Sequence, residues 1–538
     1  MTRRCGLAAV HFLFPRVVVG FQVIRSVSEG DLKPTCSWTS SLADAAGYFR
    51  NSRSLILNSL LAGMSVLALF LAGCGTASIA VEVAVPVAAE PPAVAIKPVP
   101  DVEVHRPTKL PDRIVLTWMS DPARSQAVTW RTDSSVTVGL AEVAIADDNA
   151  AFVNRARQLK AKTTPFHSNL SLAHYHSVEL TALSPRTKYA YRVGDGANWS
   201  EWFHFTTASD QAEPFSFVYF GDAQNDVKSL WSRVIRESFV NAPNARFLLH
   251  AGDLINHANN DAHWGEWFQA GGWLNGMIPS VPTPGNHEYV NIGIETTPPD
   301  ATLPFNVNVK PTLSQHWRPQ FALPEHGPSG LEETAYYLDY QGVRIVSLNS
   351  NEKQVEQSAW LDKVLAENPG RWSILTFHHP IYSSAKSRDN VKLRAAWQPI
   401  IDKHKVDLVL QGHDHTYARS GLTTAATIAA AEKFEADKNA VTEVTRRQAG
   451  GTIYVVSVSG PKMYDLGRPV RIEFQRVAED TQLFQVITID GEELRYVART
   501  ATSQLYDAFT LKKRDGQPNE LIEQVPDTPQ RVRKPTTP

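Results

Sequence analysis

The chain has 538 residues, with 53 Lys+Arg against 55 Asp+Glu and a formal net charge of -2; at roughly 150 residues per domain it holds three or four units. The near-balance excludes a broad polybasic field for nucleic acid and an acidic disordered chain. A hydrophobic fraction of 43% with 13 Trp, 15 Tyr and 22 Phe supplies cores, and only three cysteines, Cys5, Cys36 and Cys74, exclude a disulfide framework.

From Ser54 to Val81 no charged residue occurs, and Arg50 and Arg53 stand just before the run. A basic flank, an apolar stretch and small residues at its end make the layout of a secretory signal. The stretch is also long enough to span a bilayer of about 30 Å. Both readings put the rest of the chain outside the cytoplasm. Its close, Leu71, Ala72, Gly73 and Cys74, resembles a bacterial lipobox. That resemblance implies lipidation at Cys74 and a periplasmic or cell-surface lipoprotein whose only membrane attachment is the lipid anchor. Residues 1–53 then read as an N-terminal extension from start-site overrun, 54–74 as the signal segment, and the Ala/Val/Pro tract 75–106 as an extended linker.

Residues 107–209 are predicted to be all-β. Short β-branched or aromatic runs at 113–118, 126–131, 176–180, 189–193 and 202–206 are separated by turn residues such as Asp121 and Pro122. Leu183, Pro185, Thr187 and Tyr189 resemble the corner-tyrosine turn of fibronectin type III domains, which implies a small sandwich of about seven strands. Nothing catalytic stands out there, and support or substrate shaping is its expected role.

Residues 210–512 change to apolar strands ended by polar clusters, with strands at 215–220, 246–250, 343–348, 372–377 and 406–410 and a helix at 358–366. This is an α/β layered domain of the kind that places its chemistry at strand ends. Residues 421–450 read as an Ala-rich, helical, peripheral insertion, and 513–538 as a disordered polar tail.

Five clusters in this domain carry metal-ligand residue types: Gly221, Asp222 and Gln224; Gly252, Asp253 and Asn256; Gly285, Asn286, His287 and Glu288; His378, His379 and Pro380; Gly412, His413, Asp414 and His415. Four follow a strand directly and the third follows a Pro-bounded loop. The first three recur roughly thirty residues apart, about one β–α–β unit each. Carboxylate, amide and imidazole together suit a borderline ion such as Zn, Mn or Fe, and the lack of thiolates argues against structural zinc or an iron–sulfur centre.

In this order the clusters resemble those of the calcineurin-like metallophosphoesterases, and more closely the purple acid phosphatases and their bacterial relatives, from about Pro107 to Gly460. The resemblance implies a metallophosphoesterase domain, a β sandwich flanked by helices, preceded by a fibronectin III-like sandwich. It implies that Asp222 and His415 bind a first metal, that Asp253 bridges, that Asn286, His378 and His413 complete a second, and that His287 contacts the phosphate. The cofactors are then two divalent or mixed-valence ions, and the activity is hydrolysis of small phosphate monoesters by a metal-activated hydroxide. His379 is a candidate proton donor to the leaving group, with packing at Pro380 as the competing reading. The sequence departs from the family twice. Asn256 stands where purple acid phosphatases have a tyrosine, and Gln224 stands where they have Gly; Gln224 is a candidate to supply an amide oxygen to the first metal, and Asn256 is open between a ligand and a hydrogen-bonding role. Phosphodiester or nucleotide pyrophosphate hydrolysis on the same metals is the alternative activity. A cell-surface binding protein with a decayed catalytic fold is the alternative of a different class.

Overall fold

The computed structural model describes residues 97–290, 311–386, 388–429, 450–467 and 472–533, with a short strand pair, Phe12–Phe14 and Val17–Val19. The chain divides into two compact units, Met1–Ala95 and Ile96–Pro538. The signal segment 54–74, Cys74, most of the Ala/Val/Pro tract and much of the 421–450 insertion lie outside the described residues.

The β domain is two four-stranded antiparallel sheets. One holds Asp112–Thr117, Gln126–Asp133, Leu172–Leu180 and Lys162–His167, and the other holds Phe203–Thr206, Lys188–Gly194, Leu140–Ile145 and Arg157–Lys160. Leu116, Val128, Trp130, Tyr191 and Phe205 fill the space between them. The expected corner is present, since Ser184 N donates to Tyr189 Oη at 2.8 Å. Three strands between 140 and 167 raise the count to eight: Arg157–Lys160 and Lys162–His167 are mostly polar and exposed, which hides their alternation, while Leu140–Ile145 is apolar at all but Glu142 and so shows no strict period of two.

The expected linker ends earlier than 106. Asp101–Val104 forms one helical turn, and His105 is buried with its carbonyl accepting from Arg131 Nη2 at 3.0 Å.

The α/β domain, with its strands numbered separately, pairs two seven-stranded sheets. The first contains β1 (Phe215–Phe220), β2 (Leu248–His250), β3 (Ser280–Pro282), β11 (Leu483–Asp490), β12 (Glu493–Thr500), β13 (Leu505–Lys512) and β14 (Glu520–Glu523), in the order β3-β2-β1-β11-β12-β13-β14. The second contains β4 (Tyr336–Tyr340), β5 (Val343–Ser347), β6 (Trp372–Thr376), β7 (Leu408–Gln411), β8 (Tyr417–Ser420), β9 (Ile453–Val456) and β10 (Phe474–Ala478), in the order β4-β5-β6-β7-β9-β8-β10. Phe217, Leu249, Leu494 and Tyr496 of the first sheet share one core with Tyr336, Ile374, Leu410 and Val455 of the second. Helices Ser232–Asn241 and Asp261–Gly271 add Val234, Ile235, Trp264 and Trp267 to that core, and Leu361, Leu365, Leu393 and Trp397 from Gln354–Ala366 and Val391–His404 cover the second sheet. The expected sandwich flanked by helices is what forms.

Two boundaries differ from expectation. The stretch before Asn286 holds the edge strand β3, where Pro282 is tolerated because it ends the strand. The segment from 513 is not a disordered tail through 533: β14 pairs antiparallel with β13, Glu523 Oε2 accepts from Arg419 Nη2 at 2.8 Å, and Lys513 Nζ meets Asp407 Oδ1 at 2.6 Å. Its polar composition reflects an exposed edge strand rather than an unpaired chain.

A buried polar junction ties the two domains together. Arg113 and Arg131 of the β domain converge on Asp261, at 2.7 and 3.3 Å, and His316 Nε2 lies 3.2 Å from the same carboxylate. Both arginine side chains are 3% exposed and Asp261 is 1% exposed.

Candidate metal centre

β1, β2 and β3 run parallel, as do β5, β6, β7 and β9. Parallel strands deliver their following loops to one edge. Asp222 follows β1, Asp253 follows β2, Asn286 and His287 follow β3, His378 and His379 follow β6, and His413 and His415 follow β7. Five clusters far apart in sequence thus meet in one cleft.

The loops are bent sharply to bring these side chains together. Asp253, His413 and His415 have φ of 53°, 73° and 51°, in the left-handed region. Such positions cost of order 1 kcal/mol each and persist where the surroundings over-determine them. A Cβ on Gly285 would stand 2.2 Å from Asp253 Oδ1, and one on Gly412 would stand 2.2 Å from Asp222 Oδ1, so only glycine allows these approaches. Glu288, fully buried, accepts from Asp253 N at 2.8 Å, Leu254 N at 2.8 Å and Gly285 N at 2.7 Å, locking the second and third loops to each other.

Each aspartate has one oxygen occupied by backbone. Asp222 Oδ1 accepts from His413 N at 2.7 Å, and Asp253 Oδ1 accepts from His287 N at 2.8 Å. The other oxygens face the cluster: Asp222 Oδ2 lies 3.1 Å from His415 Nε2, and Asp253 Oδ2 lies 3.1 Å from His378 Nε2. The histidine tautomers are set from behind. His378 Nδ1 donates to Ala251 O and His415 Nδ1 to Lys462 O, each at 2.9 Å, so both Nε2 atoms turn toward the carboxylates. Asn286 Oδ1 lies 3.0 Å from His378 Nε2 and 2.8 Å from His413 Nδ1.

Donor atoms of Asp222, Asp253 and His415 all lie within 4.8 Å of one another, as do those of His378, His379 and His413. Gln224 joins the first group, with Nε2 at 3.1 Å from Asp253 Oδ2 and 2.8 Å from His415 Nε2. Its Oε1 and Asp222 Oδ2 are buried without a hydrogen-bond partner among the described residues. Asn256 stands apart: its side-chain Nδ2 meets His257 Nε2 at 3.2 Å, while its carbonyl accepts from His287 Nδ1 at 2.6 Å. His287 Nε2 is 4.0 Å from Asp253 Oδ2. His379 Nδ1 is held by Ser350 Oγ at 2.8 Å, and its ring lies 4.2 Å from that of His413.

Electrostatics fit a cation. Burial together with the charge of Asp253 pushes the Asp222 carboxyl up to about 7, and burial with the same charge pushes Glu288 up to about 8. Burial alone would lower His378, yet Asp253 and Asp222 hold it up at about 9. A positive charge between these carboxylates is therefore favoured. Oxygen and imidazole donors without thiolate, two orphaned oxygens and lone pairs about 3 Å apart are what Zn, Mn or Fe would satisfy.

Other polar residues near the motifs have structural partners. Asp414 points away from the cluster, its Oδ2 accepting from Ser383 Oγ at 2.8 Å and Ser384 N at 2.6 Å. Arg419 and Tyr417 do not line the cleft; both bind Asp507 in the core at 2.6 Å. Trp264 and Trp267 are core, while Trp273 is 50% exposed. Sequence reasoning missed Arg388, Lys462 and Tyr464, which gather at His413 and His415. Arg388 and Tyr464 have no glycine beside them, and Lys462, two residues after Gly460, is not a metal-ligand residue type, so no local signal marked them.

Residues 111–207 match the family described as Purple acid Phosphatase, N-terminal domain, and residues 215–417 match Calcineurin-like phosphoesterase. Among curated proteins, the chain is 26% identical over 328 residues to probable purple acid phosphatase 20 of Arabidopsis thaliana, covering 59% of this chain and 68% of that one. It is 27% identical over 270 residues to Fe(3+)-Zn(2+) purple acid phosphatase 12 of the same plant, covering 47% and 53%. Among solved structures, purple acid phosphatase PPD1 from yellow lupin seeds superposes with a TM-score of 0.58 at 18% identity, covering 76% of this chain and 75% of that one, a likeness of fold.

Proposed function

The chain belongs to the calcineurin-like phosphoesterases and carries the purple acid phosphatase N-terminal domain, and from that premise we propose that this metal-dependent hydrolase is an exported dinuclear-metal phosphomonoesterase. The observation that carries the reading is Asp253 Oδ2. It belongs to the Asp222, Asp253 and His415 group and lies 3.1 Å from His378 Nε2 of the other, as a bridging carboxylate must. Asp222, Gln224 and His415 would hold one ion, and Asn286, His378 and His413 the second. Asn256 is assigned to the support of His287 rather than to a metal. With no tyrosine at that position, the first site favours a divalent ion over Fe(III).

Two bound ions would supply Lewis-acid neutralisation of the phosphate oxygens and lower the pKa of a water nucleophile. The chain's own residues do the rest. His287 is fixed through Nδ1–H to Asn256 O, which leaves Nε2 on the Asp253 side of the ring, where it donates to a phosphate oxygen when the ring carries its second proton. Ser350 Oγ accepts from His379 N and lies 2.8 Å from His379 Nδ1, which fixes the ring beside His413. Burial pushes His379 down to about 3, so the ring stays neutral: it can hydrogen-bond an oxygen in the cleft but has no proton to give up, and the leaving group takes its proton from water. The decayed-site alternative loses its ground, because all five clusters retain their donors.

Export through the 54–74 signal and lipidation of Cys74 belong to the same proposal. Among the described residues, no helix is long and apolar enough to cross a membrane. Mass spectrometry of the mature N-terminus tests it: an acylated Cys74 is expected, and a chain starting elsewhere without acyl mass refutes it. For the chemistry, purified protein is stripped and reloaded with Fe, Zn or Mn and assayed on phosphomonoesters and phosphodiesters. Monoester turnover that disappears in Asp253→Asn and His413→Ala, with both variants folded, is expected. Turnover at the wild-type rate in either variant would refute the assignment.

A further inference from the structure

Beside the metal-ligand cluster stands a cation that no strand-end motif announces. Arg388 Nη2 lies 2.6 Å from His413 Nε2 and 3.5 Å from His413 Nδ1, the nitrogen that faces Asn286 and His378. The guanidinium therefore lies against one ring of the cluster. Its carbon sits 4.9 Å from the centre of the Tyr464 ring, which packs 4.5 Å from the ring of His415. Tyr464 thus holds Arg388 to the wall of the same cleft.

This cation has one long ion pair, with Asp414, and no hydrogen-bonded carboxylate. The Arg388 side chain is 18% exposed, and its nearest carboxylate oxygen, Asp414 Oδ1, is 3.9 Å away. Asp414 gives its other oxygen to the Ser383–Ala385 loop. A guanidinium carries five N–H donors, yet among the described residues those of Arg388 meet only the His413 ring. Lys462 Nζ approaches the same Tyr464 ring, at 5.4 Å from its centre, and brings a second positive charge without a carboxylate within 4 Å among the described residues. Burying a charge this way is costly unless an anion completes it.

A phosphomonoester has three terminal oxygens and up to two negative charges. A phosphodiester has two terminal oxygens and one charge, with the third position esterified. We infer that Arg388 is the specificity-determining residue of the cleft: it donates to the terminal oxygen that a monoester has and a diester lacks, and so sets a preference for phosphomonoesters. The planar fork suits a phosphate edge and remains charged at any working pH. With a diester, the same guanidinium faces an uncharged ester oxygen and stays unpaired. The inference rests on the phosphoesterase reading of this site.

The test uses metal-loaded full-length protein and the variants Arg388→Gln and Arg388→Lys, each checked for metal content. Hydrolysis of 4-nitrophenyl phosphate and of bis(4-nitrophenyl) phosphate is followed, and orthophosphate binding is titrated by calorimetry. In Arg388→Gln, kcat/KM for the monoester falls about tenfold to a hundredfold, the scale of one charge-assisted hydrogen bond, while the diester value changes by less than about threefold. Orthophosphate affinity falls by the same factor as the monoester value, and Arg388→Lys lies between. Equal losses on both esters, unchanged orthophosphate affinity, or metal loss in Arg388→Gln would each overturn the inference, the last by showing that Arg388 only supports His413. If the wild-type protein hydrolyses neither ester, the phosphoesterase reading fails on its own, and the orthophosphate titration still decides Arg388.

Discussion

Replacing Asp261 by Ala isolates the junction between the β domain and the catalytic domain. The carboxylate accepts from Arg113 Nη1 at 2.7 Å and Arg113 Nη2 at 2.9 Å, and lies 3.3 Å from Arg131 Nη1 and 3.2 Å from His316 Nε2. Arg131 keeps Asp112, at 2.6 Å, but Arg113 is left with two uncharged partners, the Tyr175 hydroxyl and the main-chain carbonyl of residue 261, each at 3.1 Å. A guanidinium with no buried counter-charge costs about 3–5 kcal/mol, so Asp261→Ala should lose stability on that scale. Burial acts to raise the Asp261 carboxyl, yet the bonds from His316 and Arg113 hold it well below the usual carboxylate range. With the shift downward, the stabilisation is complete above the unfolded-state value of about 3.9 and is lost only as pH falls toward the depressed native value. Urea denaturation at pH 7 therefore reads all of it. The double change Arg113→Met with Asp261→Leu removes both charges and should recover most of the loss. A single variant within about 0.5 kcal/mol of wild type, the scale of ordinary surface changes, would refute the reasoning.

Gly412→Ala places a methyl group 2.2 Å from Asp222 Oδ1 and should expel the first metal and lower turnover at least about a hundredfold, the scale of losing a coordinating or orienting group; full metal content by elemental analysis would contradict this. Metal uptake should release protons, because Asp222 is held up at about 7 and His378 at about 9 in the metal-free protein, while a cation needs the first ionised and the second neutral. Apparent affinity should therefore climb from pH 5 to 9 and then level, and calorimetry in two buffers of different ionisation enthalpy showing no proton release would refute it. The iron-loaded protein should show no intense visible charge-transfer band. Asn256 occupies the family's tyrosine position, and the Tyr289 hydroxyl is engaged with Asn349 at 2.6 Å and Glu352 at 2.8 Å. A band abolished by Tyr289→Phe would overturn that expectation.

The gathering of the candidate residues was legible because its signals are local. A glycine beside Asp, His or Asn at the end of an apolar run encodes strand, sharp turn and donor together, and the backbone at Asp253, His413 and His415 obeys that code. Gln224 was legible by its spacing from Asp222 and lies within the cluster. What could not be read depends on contacts across the sequence. Asn256 shares the spacing of a ligand, but its side chain turns to His257. Arg388 gains its position only when the loop after β6 folds back over His413. The strand Glu520–Glu523 carries exposed or half-exposed side chains and so has no apolar period to detect; its pairing is decided by backbone and by Arg419 reaching Glu523.

The first sheet has a consequence for the order of assembly. β1, which ends just before Asp222, is flanked on one side by nearby β2 and on the other by β11, with Phe215 opposite Ile489 and Tyr219 opposite Gln485. The β domain can close on strands near one another in sequence, but β1, inside the first sheet, pairs with β11 only after every strand from β2 to β10 has been made. Closing so distant a pair is slow and leaves apolar strands unpaired meanwhile. Chains cut short before β11 would therefore carry all the metal-ligand residues and the β1–β2 pair that sets Asp222 beside Asp253, yet leave the other edge of β1 open. Such fragments should be prone to aggregate, which makes the pairing of β11 the checkpoint on whether the sheet behind the cleft is completed.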